Sequence, residues 1–529
     1  MASKWTGFGV AMFLALVFAV GPTAAETVLR RGNAAESGTL DPQRWQTVAE
    51  NNVVRDLYEG LTVPRPGGVI SPGQAESWTV SPDGKIWTFM LRPDLHWSNG
   101  DPLTAEDFVY SLRRQVDPAV AADNAFLLDS VVNATAINTG QETDLTKLGV
   151  EAIDPQTLRI TLREANLAFA AILVNIRPAH RASIESFGRD AFKPGHLVSN
   201  GAYQLVDWQQ QSRLTVTRNP HYWNAANVPI DRVEFYPIED PNEELKRYRA
   251  GDLDITYYVP NDQIPFITAT LGAEYHVASW YGVYYLGFNL TQPPFKDNLK
   301  LREALTLAID RDRLVDKVAI GGNTAAEGWI PPGIDGYPYQ YGAWHGLSTT
   351  EREAKARAAY QAAGYGPDHP LQVELSYNTS ENNKKIMVAI AGMWKQVLGV
   401  QTRLSNQEFK TFLDVRRQKK TTQVFRAGYI GFYQDPGPLL DVLRSGNPRN
   451  DLGYDSAEFE ALYRAGAEAL DPAARLDGLA KAEARMLADL PVAPIYHTAI
   501  QHLIKPYVKG WQSSPLDDFR SQDLEIGPH

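Results

Sequence analysis

The sequence predicts an α/β protein built as two or three lobes with mixed sheets. At 529 residues the chain exceeds the roughly 250–300 residues at which a single hydrophobic core stops growing. Strand-like and helix-like segments alternate irregularly along it. No fixed-period repeat or low-complexity tract is present, which argues against a solenoid. Composition is that of an ordinary globular protein, 44% hydrophobic and 21% charged, with 12 Trp and 24 Tyr. Such aromatics fill cores and line ligand clefts.

Residues 1–25 stand apart from this pattern. Lys4 supplies a positive start, and Phe8 to Val20 is an apolar run broken only by Gly9. Thr23-Ala24-Ala25 places small residues before Glu26, as a cleaved signal peptide requires. The run is shorter than the about 20 apolar residues of a membrane-spanning helix. The chain has no cysteine, which removes disulfides, thiol catalysis, Cys-ligated metals and a Cys-linked lipid anchor. Its net charge is −11, and cleavage of the leader removes one Lys and no acid. An acidic chain of this size is poorly suited to nucleic acid, which is bound largely through Lys and Arg on phosphates.

Local signals define several elements. Ile86-Trp87-Thr88-Phe89-Met90-Leu91 has strand composition, and Asn99-Gly100-Asp101 marks a turn. Thr104 with Asp107 forms a capping box that opens a helix from Ala105 to about Arg114. Leu214-Thr215-Val216-Thr217 reads as a strand ended by Asn219-Pro220. The apolar spacing from Leu301 to Ile320 predicts one helix, with Asp310-Arg311-Asp312 either on a solvated face or in a local ion pair. Ser348 with Glu351 caps a helix that stops at Gly364. Ser405 with Glu408 predicts a third capping box, opening a helix whose Phe409, Phe412, Leu413 and Arg416 share one face. An Arg on such a face either snorkels at the helix end or points into a cleft.

Catalytic constellations are missing from the sequence. It has no Gly-x-Ser-x-Gly elbow, no phosphate-binding Gly-rich loop and no His-Glu-x-x-His. The ten histidines are scattered. His497 and His502 are the closest pair, and in a strand their odd spacing sends them to opposite faces, which suits structural roles better than metal ligation.

Ordered motifs carry a family resemblance. Ser71-Pro-Gly-Gln-Ala-Glu-Ser-Trp78, Trp87-Thr-Phe-Met-Leu-Arg92 and Trp97-Ser-Asn-Gly-Asp-Pro-Leu-Thr-Ala-Glu-Asp-Phe108 come first. Asn200-Gly-Ala-Tyr203, Arg218-Asn-Pro-His-Tyr-Trp223, Ala308-Ile-Asp-Arg311 and Arg426-Ala-Gly428 follow. In this order the chain resembles the periplasmic oligopeptide-binding proteins of peptide ABC transporters, the extracellular solute-binding proteins of family 5. The resemblance covers nearly all of the chain beyond the leader. It implies an α/β, two-lobed periplasmic binding protein fold, type II-like, with an extra third domain and a hinge. On that pattern residues 26–58, 181–282 and 498–529 form the core of lobe 1, 59–180 an additional domain attached to it, and 283–497 lobe 2. Ile495 to Val508 is the returning segment. The lobes close over an extended peptide, whose side chains enter hydrated pockets.

The resemblance also assigns contact positions. Family members pair the ligand's α-amino group with an aspartate shortly after the Arg-Ala-Gly segment; here Phe432 stands there. Asp435, three residues on, is the nearest alternative acid. If Asp435 does not reach the cleft, ligands without a free α-amine are favoured. Arg426 and Arg416 match arginines that hold ligand carboxylates, whereas Ala319 replaces a lysine and Asn383 a histidine. Phe409 and Tyr429 take aromatic pocket positions. Gly428 belongs to the same matched segment. Val48 matches a ligand contact, Gln46 replaces a glutamate, and Asn124 falls where a tyrosine contacts ligand. Gly282 and Ile430 occupy positions that form a disulfide in a relative, in keeping with the absence of cysteine here.

The expected protein is therefore a monomeric, non-enzymatic binding component of an ABC importer. It needs no cofactor or metal, and its partners are a small peptide or peptide-like ligand and the inner-membrane permease subunits. With a leader but no lipid anchor, it is placed in the periplasm. Alternatives on the same scaffold are a blocked, cell-wall-derived or non-peptide ligand such as an opine or sugar conjugate. A periplasmic chaperone with an open apolar cleft and a hydrolase are the readings of other classes.

Overall fold

The computed structural model describes residue 1 and residues 26–65, 68–420 and 422–529. The signal-peptide expectation for residues 1–25 falls, apart from Met1, outside the described residues. No described helix is long and apolar enough to cross a membrane.

Two large apolar cores organise the chain. The first gathers buried residues from Leu29 to Ile255 and then, from the other end of the chain, Ile504, Val508 and Leu524. The second runs from Tyr281 to Tyr496. A four-stranded sheet in the first core has the order Val28–Gly32, Arg232–Tyr236, Arg213–Arg218, Tyr203–Gln209. A separate antiparallel sheet is formed by Ala75–Val80, Ile86–Leu91, Thr157–Thr161 and Val150–Asp154. In Ile86–Leu91 the alternation is plain: Trp87, Phe89 and Leu91 are buried, as a period of two demands.

The second core holds a six-stranded mixed sheet in the order Thr324–Ala325, Val492–Leu503, Tyr275–Phe288, Val424–Ile430, Gln372–Asn378, Gln401–Gln407. Tyr275–Phe288 and Val492–Leu503 are long antiparallel partners that extend beyond this core toward the first. Their ladder shifts register between Ser279 and Val283. The C-terminal segment then fastens to the first core. Ile504 bridges Ile255, Arg31 Nη1 donates to Ser521 Oγ (2.8 Å), and Arg55 Nη1 donates to the Asp517 carbonyl (2.9 Å).

Capping chemistry places several helices where the sequence puts them. Thr104 and Asp107 close the box that opens Ala105–Val116, and Ser348 with Glu351 opens Thr349–Ala362. Two expectations need correction. The predicted Leu301–Ile320 helix is two helices, Leu299–Leu307 and Arg311–Lys317. The break comes at Asp310, whose side chain caps the second helix by accepting from Arg313 N (3.1 Å). Arg311 is not on a solvated face: it is buried, donates to the Pro494 carbonyl (2.7 Å) and lies 4.1 Å over the Trp344 ring. Ser405 is not a cap either. It belongs to the Gln401–Gln407 strand, and Glu408 caps Phe409–Gln418 by accepting from Lys410 N and Thr411 N (both 3.0 Å).

His502 ties the long strand to the C-terminal segment. Its Nδ1 meets the Thr256 carbonyl (2.9 Å) and its Nε2 meets Asp517 Oδ1 (2.8 Å). Burial alone would lower its pKa, but the Asp517 carboxylate and the Thr256 carbonyl outweigh burial and hold it above the ordinary value. A histidine raised in the folded state contributes stability that is full below its unfolded pKa and is lost as the pH rises through the folded one. The stability margin of wild type over His502→Gln is therefore expected to be largest below pH 6.5 and to shrink toward neutral and alkaline pH. Denaturation across about pH 5 to 8 measures it; a margin that grows with pH would contradict the ion pair.

Candidate functional site

A cavity of about 240 Å³ lies where the two cores meet. The first core contributes Trp45, Gln46, Val48 and Asn175, and the break in the long ladder contributes Trp280. Ile430 comes from the end of the Val424–Ile430 strand of the second sheet, and Phe432, just beyond it, packs against the first core. Val48 and Gln46 owe their position to a capping box. Thr47 caps Val48–Leu57, and Glu50 folds back to accept from Thr47 N (2.9 Å) and Gln46 N (2.7 Å). The Gln46 amide donates to Asp123. Val48, the first helical residue, stays 38% exposed. Asn124 sits behind this wall, buried, with its amide donating to the Trp45 carbonyl (2.9 Å).

Phe432 joins the two cores. Its carbonyl accepts from Asn175 Nδ2 (2.9 Å), and its ring packs edge-on against Phe126 at 5.4 Å. The Arg449 guanidinium lies 4.1 Å over the Phe126 ring and 5.7 Å from the Phe432 ring centre. Position 432 is thus apolar and close to a cation, and it offers nothing to an ammonium group. Asp435 does not compensate. It is buried and held by Arg475 through two bonds of 2.7 and 2.8 Å, and it also caps the Pro436–Asp441 helix. Beyond the Phe126–Phe432 pair lies a larger cavity of about 490 Å³, lined in part by Phe126, Tyr429, Asp441 and Arg449. Burial raises the pKa of the Tyr429 hydroxyl.

The remaining sequence-predicted residues divide into two groups. Arg426, Gly428 and Asn383 lie close to one another and do not line this cavity. Arg426 donates to Asn378 Oδ1 (3.1 Å) and lies 4.8 Å over the Tyr284 ring. Asn383 accepts from the Tyr284 hydroxyl (3.0 Å) and donates to the same Asn378 oxygen (3.0 Å). Gly428 is exposed on the same strand. Arg416 and Phe409 stand apart from that cluster. Arg416 Nε pairs with Asp451 at 2.6 Å between the Phe412 and Phe425 rings, so its charge is already met. Phe409 opens its helix 53% exposed while Phe412 is fully buried; the predicted apolar face is therefore not continuous. Ala319 is buried.

Gly282 and Ile430 are direct cross-strand partners. A Cβ on Gly282 would come within 2.2 Å of Ile430 Cδ1, so the isoleucine fills the room that a side chain at 282 would need. Sequence reasoning missed Trp280, Arg177 and Asp518 on the cavity wall. One signal was available for Arg177: it is a lone charge in the apolar stretch Ala-Phe-Ala-Ala-Ile-Leu-Val-Asn-Ile before Pro178. Among the described residues no group of three or more His, Cys, Asp and Glu is arranged to hold a metal.

Comparison with known proteins agrees with this architecture. Residues 69–451 match the model of the bacterial extracellular solute-binding proteins, family 5 Middle. The periplasmic oligopeptide-binding protein of Escherichia coli strain K12 is 39% identical over 516 residues, 96% of this chain and 94% of that protein. The solved murein tripeptide binding protein of Escherichia coli matches with a TM-score of 0.83 at 36% identity, covering 96% of this chain and 99% of that one. The oligopeptide-binding protein OppA of Haemophilus influenzae, solved in complex with RPPGFSPFR, matches with a TM-score of 0.81 at 35% identity, covering 95% and 99%.

The Asp435–Arg475 pair gives a test that needs no ligand. Breaking a buried pair leaves an uncompensated charge, so Arg475→Met is expected to cost about 3–5 kcal/mol of stability, measured by chemical denaturation. A loss in the range of an exposed pair, about 0–1 kcal/mol, would show that Asp435 is free for another role.

Proposed function

The chain belongs to the bacterial extracellular solute-binding proteins, family 5, and from that premise we propose that it captures peptides or peptide-like solutes in the periplasm and delivers them to the permease of an ABC importer. The observation that carries this reading is the cavity shared by the two cores, with Val48 and Gln46 on one side and Ile430 and Phe432 on the other. Wall residues drawn from two bodies meet a ligand together only when the bodies are apposed, so ligand favours the closed arrangement. Residues 26–58, 181–282 and 498–529, with the additional domain 59–180, move as one body. Residues 283–497 move as the other, about the register break in the long ladder. The protein acts as a monomer and without a catalytic step. Arg426, Asn383, Gly428 and Tyr429 extend the site for longer ligands.

One observation favours a second reading of the ligand. Phe432 with Arg449 nearby, and Asp435 held by Arg475, leave no acid for a free amine at the family's position. The ligand is then one that places no ammonium beside residue 432: a blocked peptide, a cell-wall-derived peptide, or a non-peptide such as an opine or sugar conjugate.

Mass spectrometry of ligand released by denaturing the natively purified protein tests the capture reading and names the solute. Restoring that solute to the stripped protein is expected to lower the radius of gyration in X-ray scattering. Tight binding with no change in radius would remove hinge closure, and a protein that retains and rebinds nothing would remove the capture reading.

A further inference from the structure

The larger cavity, of about 490 Å³, carries an exposed arginine without a counter-ion, Arg449. Its backbone is fixed: the N–H donates to Asn447 Oδ1 (2.9 Å) and the carbonyl accepts from Asp451 N (2.9 Å). Its guanidinium lies 4.1 Å over the Phe126 ring and 5.7 Å from the Phe432 ring centre. No carboxylate pairs with it among the described residues. Asp441 is engaged by Arg444 (3.3 Å) and Asn447 (2.8 Å), Asp129 by Thr135 (3.2 Å) and Asp123 by Gln46. Of the other cations on this wall, Arg475 is met by Asp435 and Arg444 by Glu460 (3.1 Å), while Arg163 donates to the Asp129 carbonyl (2.8 Å). Glu164, Arg464 and Glu468 are exposed to solvent.

Two features make Arg449 a receptor rather than an idle surface charge. Stacking over a ring occupies one face of the guanidinium and leaves its in-plane N–H donors free. The Tyr429 hydroxyl lies near it on the same wall: burial raises that hydroxyl's pKa, and the Arg449 charge opposes the rise. Hydroxyl and guanidinium can both donate to one anion. Phe432 lines the 240 Å³ cavity and Phe126 the 490 Å³ cavity, and a space of about 130 Å³ is lined by both rings and by Tyr429. A solute in the smaller cavity that extends past this aromatic pair meets Arg449. We propose that Arg449 receives an anionic group of the captured solute, a carboxylate in the simplest case, and that the protein thereby selects solutes whose end beyond Phe432 is negatively charged. This rests on the reading of the 240 Å³ cavity as the ligand site, and it deepens the reading that no ammonium lies beside residue 432: the charge preference there is reversed as well as lost. Bonds between a guanidinium and a carboxylate are short and strong, and a pre-organised fork loses little entropy in forming them.

The test uses the full mature protein, stripped of ligand, and calorimetry with three probes that differ only at the amino end: trialanine, N-acetyl-trialanine and N-succinyl-trialanine. Their amino ends carry an ammonium, a neutral amide and a carboxylate. Wild type is expected to bind the succinyl peptide at least about 10-fold more tightly than the acetyl peptide, the scale of one hydrogen bond to a charged group. It should bind the acetyl peptide more tightly than trialanine. Arg449→Gln should bind the acetyl and succinyl peptides alike, and Arg449→Glu should reverse the order and favour trialanine. The side chain is exposed, so both variants should fold, which circular dichroism checks. Equal binding of the acetyl and succinyl peptides by wild type, or a succinyl preference that survives in Arg449→Gln, would overturn the assignment and leave the absence of an ammonium site intact. A wild-type preference for trialanine would overturn that reading and this one together. Refusal of all three by wild type would overturn the peptide reading and this assignment with it, while capture itself is judged separately by the solute that the native protein retains.

Discussion

The antiparallel ladder between Tyr275–Phe288 and Val492–Leu503 is the constraint on which the site depends. Backbone donors and acceptors in a strand must be paired wherever water is excluded, so a strand pair that passes from one core to the next cannot simply dissolve between them. It changes register instead, between Ser279 and Val283, as a bulge does when a strand must bend. At that break the backbone finds other partners: Tyr281 N donates to the Pro515 carbonyl (2.6 Å), and the Tyr281 carbonyl accepts from Gly431 N (2.9 Å). These bonds bring Trp280, the C-terminal segment and the Ile430–Phe432 corner to one point. The cavity is the space they leave.

Charge is arranged around that space by the same rule. Arginines near the second core are met by acids or carbonyls: Arg475 by Asp435, Arg416 by Asp451, Arg302 by the Phe295, Asp489 and Leu490 carbonyls, and Arg311 by the Pro494 carbonyl. Arg426 is an exception of a milder kind, half-buried over a tyrosine ring with an amide oxygen for company. A guanidinium stacks on an aromatic face more readily than an ammonium does, so this site keeps an arginine in place without a counter-ion.

The local part of this structure was legible in the sequence and the non-local part was not. Thr104 with Asp107 and Ser348 with Glu351 are read correctly because a capping box is complete within four residues. Ser405 with Glu408 has the same pattern and fails, because residues 401–407 are claimed by parallel pairing with Gln372–Asn378; tertiary pairing overrides a local signal. The apolar spacing of 301–320 is real on both sides of Asp310, but periodicity does not register a side chain that stops one helix to cap the next. Val48, Gln46, Ile430 and Phe432 were named through family resemblance, and they do share a cavity. Arg177 and Asp518 share that cavity too, from segments remote in sequence. No spacing rule connects them, because what relates them is the return of the C-terminal segment to the first core.

That return bears on how closure is driven. A ligand shifts a conformational equilibrium only by the difference in its affinity for the two states. Arg177 is anchored through Gln43 to the first core, and Asp518 belongs to a segment pinned there by Arg55, His502 and Arg31. Both residues are therefore in place without any help from Ile430 and Phe432, which reach the same cavity from the strand that pairs with Tyr275–Phe288. A solute that first meets the wall near the chain ends gains further buried area only when these apolar side chains cover it, and the water removed in doing so strengthens whatever electrostatic contacts it already makes. With phenylalanine at 432, that corner of the wall contributes apolar cover and no charge.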